Sequence, residues 1–313
     1  LVTGVQTCAL PIFVDELVAV GHEVRVFDSL LYEDLYLKSV PFYFGDVTDV
    51  SSLKPHLVWA EVVVFLAGFV GDPLCALNPK HTMRVNVDAV RQLIDNFDGQ
   101  IVFPSTCSVY GAQLGELTEE SPVAPLSLYA ETKLTAERLL LDRDAPTLIF
   151  RLGTLFGLSD TYSRIRVDLV LNVLSVRAVL EKRMSVFGGS QYRPLLHVRD
   201  VATATTPWIG KEVSGIFNLH TENLKISDLA KRIQQIVPDA EVELTSSTFQ
   251  DSRNYMVSSE KAKQDLAFKP RYSIEDGIQE IVSLVQSRRI KNVNLPRFSN
   301  VNAMAPLIGE SQR

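Results

Sequence analysis

The chain has 313 residues, 46% hydrophobic and 22% charged, with 31 Lys and Arg against 37 Asp and Glu. Those values are globular and sufficient for one large or two smaller domains, and a net charge of -6 argues against a general nucleic-acid binder. Three widely spaced cysteines, Cys8, Cys75 and Cys107, fit neither a disulfide framework nor a zinc site, and the five histidines form no ligand-like pair, so a cytoplasmic protein with reduced thiols and no metal is expected.

Leu1-Val2-Thr3-Gly4 reads as the end of a buried strand, cut short at its start, running into a turn. The apolar residues from Cys8 to Val14 follow no basic region and precede Asp15-Glu16, so no signal peptide is predicted. Helical spacing covers Phe13 to Val20, and Gly21 closes it. Strands are predicted at Glu23 to Asp28 and Pro41 to Phe44, a helix at Asp49 to Leu57, and a strand at Val62 to Ala67. The apolar run Val62 to Val70 is too short to span a membrane. A helix at Thr82 to Phe97, a strand at Gln100 to Phe103, a helix opened by Ser127 and a strand at Thr147 to Arg151 complete the first half. Strands alternating with helices predict an α/β fold, a Rossmann-type doubly wound parallel sheet covered on both faces.

After Gly153 the alternation loosens. Helices are predicted near Val167 to Val179, after Asp200, at Ser227 to Ile236 (as a capped helix), at Ser258 to Leu266 and at Ile274 to Gln286, with short strands at Met184 to Phe187 and Ile216 to Leu219. The expected organisation is a nucleotide-binding domain over residues 1–153 and a smaller α/β substrate lobe over 154–286, with some segments returning to the sheet. A polar tail, 287–313, is expected to be loose.

Candidate chemistry sits at the strand ends. Asp28 lies where a dinucleotide fold places the acid that holds the adenosine ribose, which favours NAD over NADP; a turn cap is the alternative. Asp46-Val47 would meet the adenine edge, and Ala67-Gly68 would let backbone approach the cofactor. Gly4 is the sole glycine of the expected phosphate loop, with Thr7 and Leu10 where later glycines belong. Tyr129 and Lys133 stand four residues apart on the helix opened by Ser127, so an ammonium one turn from a phenol would favour the phenolate and a general base. A helix-surface pair is the alternative.

These residues resemble the extended short-chain dehydrogenases/reductases, specifically NAD-dependent nucleotide-sugar epimerases/dehydratases of the UDP-glucose 4-epimerase type. The resemblance covers residues 1–285. It is carried by Asp28, Gly45-Asp46-Val47, Leu66-Ala67-Gly68, Asn86, Ser105 to Gly111, Tyr129 with Lys133, Arg151 with Gly157, and Arg193 to Asp200. It implies that Tyr129 takes a sugar hydroxyl proton, that Thr106 bonds the same oxygen, and that Lys133 holds the nicotinamide ribose. It further implies that Asn86 lies near NAD, that Arg193 and Arg253 bind the substrate diphosphate, and that the chain forms a homodimer. The bland alternatives are a strand-end hydroxyl for Thr106, a polar contact inside a helix for Asn86 and surface ion pairs for the arginines.

Departures from the family pattern rank its branches. The 4,6-dehydratases carry Asp-Glu directly after this Thr, where Cys107-Ser108 stand here, and enzymes acting at carbons 3 or 5 place a Cys where Ser108 stands. Cys107 reads as a packed residue. The block from Val5 to Phe13 is foreign to an otherwise regular pattern and suggests a sequence error of the adapter read-through kind. The expectation is C4 epimerisation of a nucleotide sugar. The alternatives are a nucleotide-sugar reductase or dehydrogenase, and a non-catalytic Rossmann-like binding protein without its phosphate loop.

Overall fold

The structure is a computed structural model that describes residues 1–4, 10–160, 164–245 and 253–304. The first half runs β1 (Val2–Gly4), α1 (Leu10–Ala19), β2 (Val26–Asp28), β3 (Phe42–Phe44), α2 (Val50–Trp59), β4 (Val62–Phe65), α3 (Asp72–Leu77) and α4 (Pro79–Met83). A π-helical segment, Arg84–Asp88, joins α4 to α5 (Ala89–Asn96); β5 (Gln100–Thr106), a 3-10 turn at Cys107–Tyr110, β6 (Ala112–Leu117), α6 (Leu128–Leu141), β7 (Thr147–Leu152) and β8 (Thr154–Phe156) follow. The second half runs α7 (Val170–Leu180), β9 (Arg183–Phe187), β10 (Tyr192–His197), α8 (Val198–Thr205), β11 (Gly215–Leu219), β12 (Glu222–Lys225), α9 (Ile226–Ile236), β13 (Glu241–Thr245), β14 (Asn254–Val257), α10 (Glu260–Leu266) and α11 (Ile274–Gln286).

Seven parallel strands form one sheet in the order β11-β7-β5-β4-β1-β2-β3. Its central strands are apolar on both faces, as strands covered by helices on both sides must be: Val63, Val64 and Phe65 of β4 and Ile101, Val102 and Phe103 of β5 are all buried. One face packs on Phe13, Val14, Leu17 and Val201 of α1 and α8, the other on Leu53, Leu57, Leu93 and Leu140 of α2, α5 and α6. Strand order reverses between β1 and β4, and the crevice beyond the carboxyl ends there is the ligand position of a doubly wound sheet. Small sheets β12-β10-β8, β13-β9 and β14-β6 lie outside it; β6 comes from the first half of the chain, and β11, from the second half, joins the large sheet beside β7. No helix among the described residues is long and apolar enough to cross a membrane.

Local departures have local causes. The helix expected over Thr82 to Phe97 is α4, the π-helical segment and α5, and Asn86 sits in the π-helical stretch. Ser227 does not cap α9; Lys225 holds that position without a side-chain bond. The tail is packed, not loose, as far as Met304. The Val167 N–H donates to the Phe298 carbonyl, Arg164 donates to the Arg297 carbonyl, and Met304 is buried in the cluster that contains Phe69 and Cys75. Val301, Ala303 and Met304 are the apolar side chains that make docking favourable.

Candidate active site

Helix α6 begins where Ser127 can cap it: Ser127 Oγ accepts from the Ala130 N–H and donates to Asp72 Oδ1, at 3.3 and 2.6 Å. That start turns Tyr129 and Lys133 inward, where both are buried, so they are not a helix-surface pair. Thr106 ends β5 and accepts from the Ser108 N–H at 3.2 Å, and its hydroxyl lies close enough to the Tyr129 phenol to favour the phenolate. Lys133 Nζ lies 4.1 Å over the Phe103 ring. A Cβ at Gly68 would stand 3.9 Å from that ammonium and 3.2 Å from Asn86 Oδ1, so this position suits glycine.

The electrostatics depart from the simple expectation. Burial pushes the Tyr129 phenol above its ordinary value, with Cys75 and Asp72 adding to the rise, while the Thr106 hydroxyl and the Arg166 charge oppose it. The same burial pulls the Lys133 ammonium down to about 8, against the Glu137 carboxylate. In the chain by itself, desolvation therefore outweighs any acidifying effect of Lys133 on the phenol. Cys107 is fully buried, donates to the Arg151 carbonyl at 3.1 Å and has its thiol raised by burial.

The other predicted cofactor residues divide. Gly4 ends β1 and pairs with Asp28, which ends β2; Asp28 is buried and accepts the Leu30 N–H at 2.5 Å, so it also caps its own turn. Asp46 is exposed and accepts the Thr48 N–H at 2.8 Å, a turn role, whereas Val47 and Ala67 are buried among apolar side chains. Asn86 is occupied by the protein: its oxygen accepts the Phe69 N–H, and its nitrogen donates to the Phe69 carbonyl and Thr132 Oγ1, at 2.7, 3.0 and 3.1 Å. It holds the loop after β4 against α6. The fully buried Thr3 hydroxyl, one residue before Gly4, has no hydrogen-bond partner among the described residues. An acid at the end of β2, close backbone approach at Gly68 beside an ammonium, and a partnerless hydroxyl at the end of β1 fit a dinucleotide. Thr7 and the side chain of Leu10, where the phosphate loop departs from the glycine pattern, lie outside the described residues.

The two arginines are brought together. Arg193 is buried and its guanidinium donates to the carbonyls of Tyr192 and Arg253. Arg253 Nη1 stands 3.2 Å from Asp72 Oδ2 and 3.5 Å from Ser108 Oγ, an ion pair between half-buried groups of the second half of the chain and α3. Sequence reading missed Asp72, although Gly71-Asp72-Pro73 marks a helix start, and Tyr255, whose hydroxyl is 3.3 Å from Ser108 Oγ. It also missed Glu137, one turn beyond Lys133, which pairs with Arg151 at 2.8 Å and accepts from Ser105 Oγ.

Residues 1–219 match the model of a family described as the NAD dependent epimerase/dehydratase family. The chain is similar to an uncharacterized UDP-glucose epimerase of Bacillus subtilis, with 27% identity across 76% of this chain and 78% of that protein. It is similar to UDP-glucuronic acid decarboxylase 1 of Arabidopsis thaliana, with 26% identity across 88% of this chain and 67% of that one. Its fold matches the solved UDP-glucose 4-epimerase of Thermotoga maritima with a TM-score of 0.81 and 21% identity, over 92% and 99% of the two chains.

Proposed function

The chain belongs to the NAD dependent epimerase/dehydratase family, so it is an NAD-dependent enzyme, and we propose that it epimerises a nucleotide-diphosphate sugar at C4 through a transient 4-keto form. The observation that carries this reading is the convergence of Thr106, Tyr129 and Lys133 at the carboxyl edge of the sheet with no carboxylate directly after Thr106. Cys107 is sealed in the core and Ser108 is turned to Tyr255, so the acid-base pair that water elimination needs is missing from those places.

NAD, when bound, supplies the hydride acceptor and, on the return step, the hydride donor. Tyr129 takes the proton from the sugar hydroxyl, and Thr106 holds the same oxygen through its hydroxyl. Lys133, beside Gly68, holds the nicotinamide ribose and keeps positive charge near the phenol; Asp28 holds the adenosine ribose, with Gly4, Ala67 and Gly68 giving backbone access and Asp46-Val47 flanking the adenine. Arg193 and Arg253 bind the substrate diphosphate, for which the guanidinium fork is suited. Asn86 acts through the loop it fixes. The protein works as a cytoplasmic homodimer.

The test is product analysis by NMR with UDP-glucose, UDP-galactose and UDP-glucuronic acid. With NAD supplied in excess, interconversion of the two hexoses with no net reductant is expected. A product that forms only with stoichiometric NADH or NADPH assigns a reductase, and release of carbon dioxide from the uronic acid assigns a decarboxylase.

A further inference from the structure

Asn300 belongs to the tail, yet it is only 2% exposed. Its side-chain nitrogen donates to the Val70 carbonyl at 3.1 Å, across 230 residues of sequence and two residues beyond Gly68. Its side-chain oxygen accepts from Arg164 Nη2, and its backbone N–H donates to Asp168 Oδ2 at 3.0 Å. One neutral amide therefore joins the loop after β4 on the nucleotide side to the segment leading into α7 on the substrate side. Asp168 is in turn gripped by Arg166 through bonds of 2.9 and 3.1 Å, and the Arg166 charge reaches the Tyr129 phenol. Arg164 also lies 4.2 Å over the ring of Tyr32, four residues beyond Asp28.

Such a tie is closed but weak. A few hydrogen bonds and the small apolar group of Val301, Ala303 and Met304 hold a short segment, and elements of that kind open locally before the core does. We propose that Asn300 is a positioning residue that clasps the cleft. The segment Arg297–Met304 opens to admit the nucleotide sugar and closes to hold the Val70 loop and the Arg164–Asp168 segment around Tyr129. The inference rests on the nucleotide-sugar reading for its ligand, but its structural test does not need turnover.

Cys75 reports the opening. It is fully buried in the cluster that contains Met304, and burial and Asp72 push its thiol up to about 12, so it stays inert until exposed. Cys107 is fully buried in a different cluster and serves as the internal control. The full chain and its Asn300→Ala variant are treated with iodoacetamide and mapped by mass spectrometry. Cys75 is expected to react at least about tenfold faster in the variant, with Cys107 unchanged. Equal Cys75 rates, or equal acceleration of both thiols, overturn the clasp. Hydrogen exchange on the unaltered chain covers a variant that fails to fold. The amides of Val167 and Asn300 should exchange together and faster than Val102 and Phe103 of β5; exchange at the sheet's rate overturns the proposal. With nucleotide sugar, the variant should show KM raised about tenfold and kcat within about twofold, and an unchanged KM removes the gating role. A chain that turns over no nucleotide sugar argues against the activity reading, while Cys75 still decides the clasp.

Discussion

Lys133 is buried as an ammonium that prefers to be neutral. Its pKa is lowered from the ordinary Lys value to about 8, so the unfolded chain binds more protons between about pH 8 and 10.5 and stability rises with pH across that window. Below pH 8 the buried charge costs the ligand-free fold about 3 kcal/mol. Lys133→Met should therefore raise the urea midpoint at pH 7 while removing turnover, and a midpoint that falls would show that the ammonium is well paired. In the intact protein, NAD affinity measured by calorimetry should weaken as pH rises through about 8, because the charge proposed to meet the ribose is then lost. Tyr129→Phe removes the proposed base and should cut kcat by about 10²- to 10⁴-fold. It removes only the buried phenol oxygen beside Thr106 and should cost about 1 kcal/mol of stability, so wild-type turnover in this variant would take Tyr129 out of the chemistry. The spacing of Tyr129 and Lys133 was legible in the sequence because α6 is capped by Ser127 and runs without interruption. The direction of the phenol's shift was not, since desolvation comes from the packing of distant elements.

Helix α6 is fixed to the sheet by a charged pair, not by apolar contact alone. Glu137 and Arg151 are nearly solvent-free, and Arg151 Nη1 continues the network to the Tyr110 hydroxyl at 2.9 Å, which donates to Asn218 Oδ1 at the same distance. Removing one member strands a buried charge, so Glu137→Ala should lower stability by about 3–5 kcal/mol in urea titration, while Glu137→Met with Arg151→Met should lose much less. Comparable losses in both variants would assign the effect to packing. Strand β10 escaped sequence reading for a related reason: Pro194 and Arg193 break the apolar pattern, and the strand is identified only by its ladder to β12 and its pairing with β8. At the first turn, the chain as written places Thr7 and Leu10 at positions that glycine would leave open for a diphosphate. Calorimetry should show poor NAD binding, recovered by Thr7→Gly with Leu10→Gly; tight binding by the unaltered chain would refute this.

At the scale of the whole molecule, the cleft is assembled from groups that no local pattern connects, such as Ser108 with Tyr255 and Val70 with Asn300. The alternation of strands and helices was enough to anticipate the sheet, but not which loops close over its edge. The contact of the β11 end with β12 and α10 has its own pH dependence. His220 follows β11 of the large sheet; its Nδ1 lies 2.5 Å from Ser259 Oγ beside α10, and its Nε2 lies 3.2 Å from Asn223 Nδ2 of β12. Burial, aided by Lys263, lowers its pKa from 6.5 to about 4, so the fold holds it neutral. The unfolded chain binds the extra proton between those values, so its contribution is complete above about pH 6.5 and is lost as pH falls toward 4. Partial exposure of the ring limits that loss to about 2 kcal/mol. His220→Gln keeps a hydrogen-bonding side chain without the titration, so its urea midpoint should fall less between pH 7 and 4.5 than that of the unaltered chain. Buried carboxylates such as Asp200 titrate in both proteins, so the difference between the two curves isolates His220, and parallel curves would show that this junction does not sense acid.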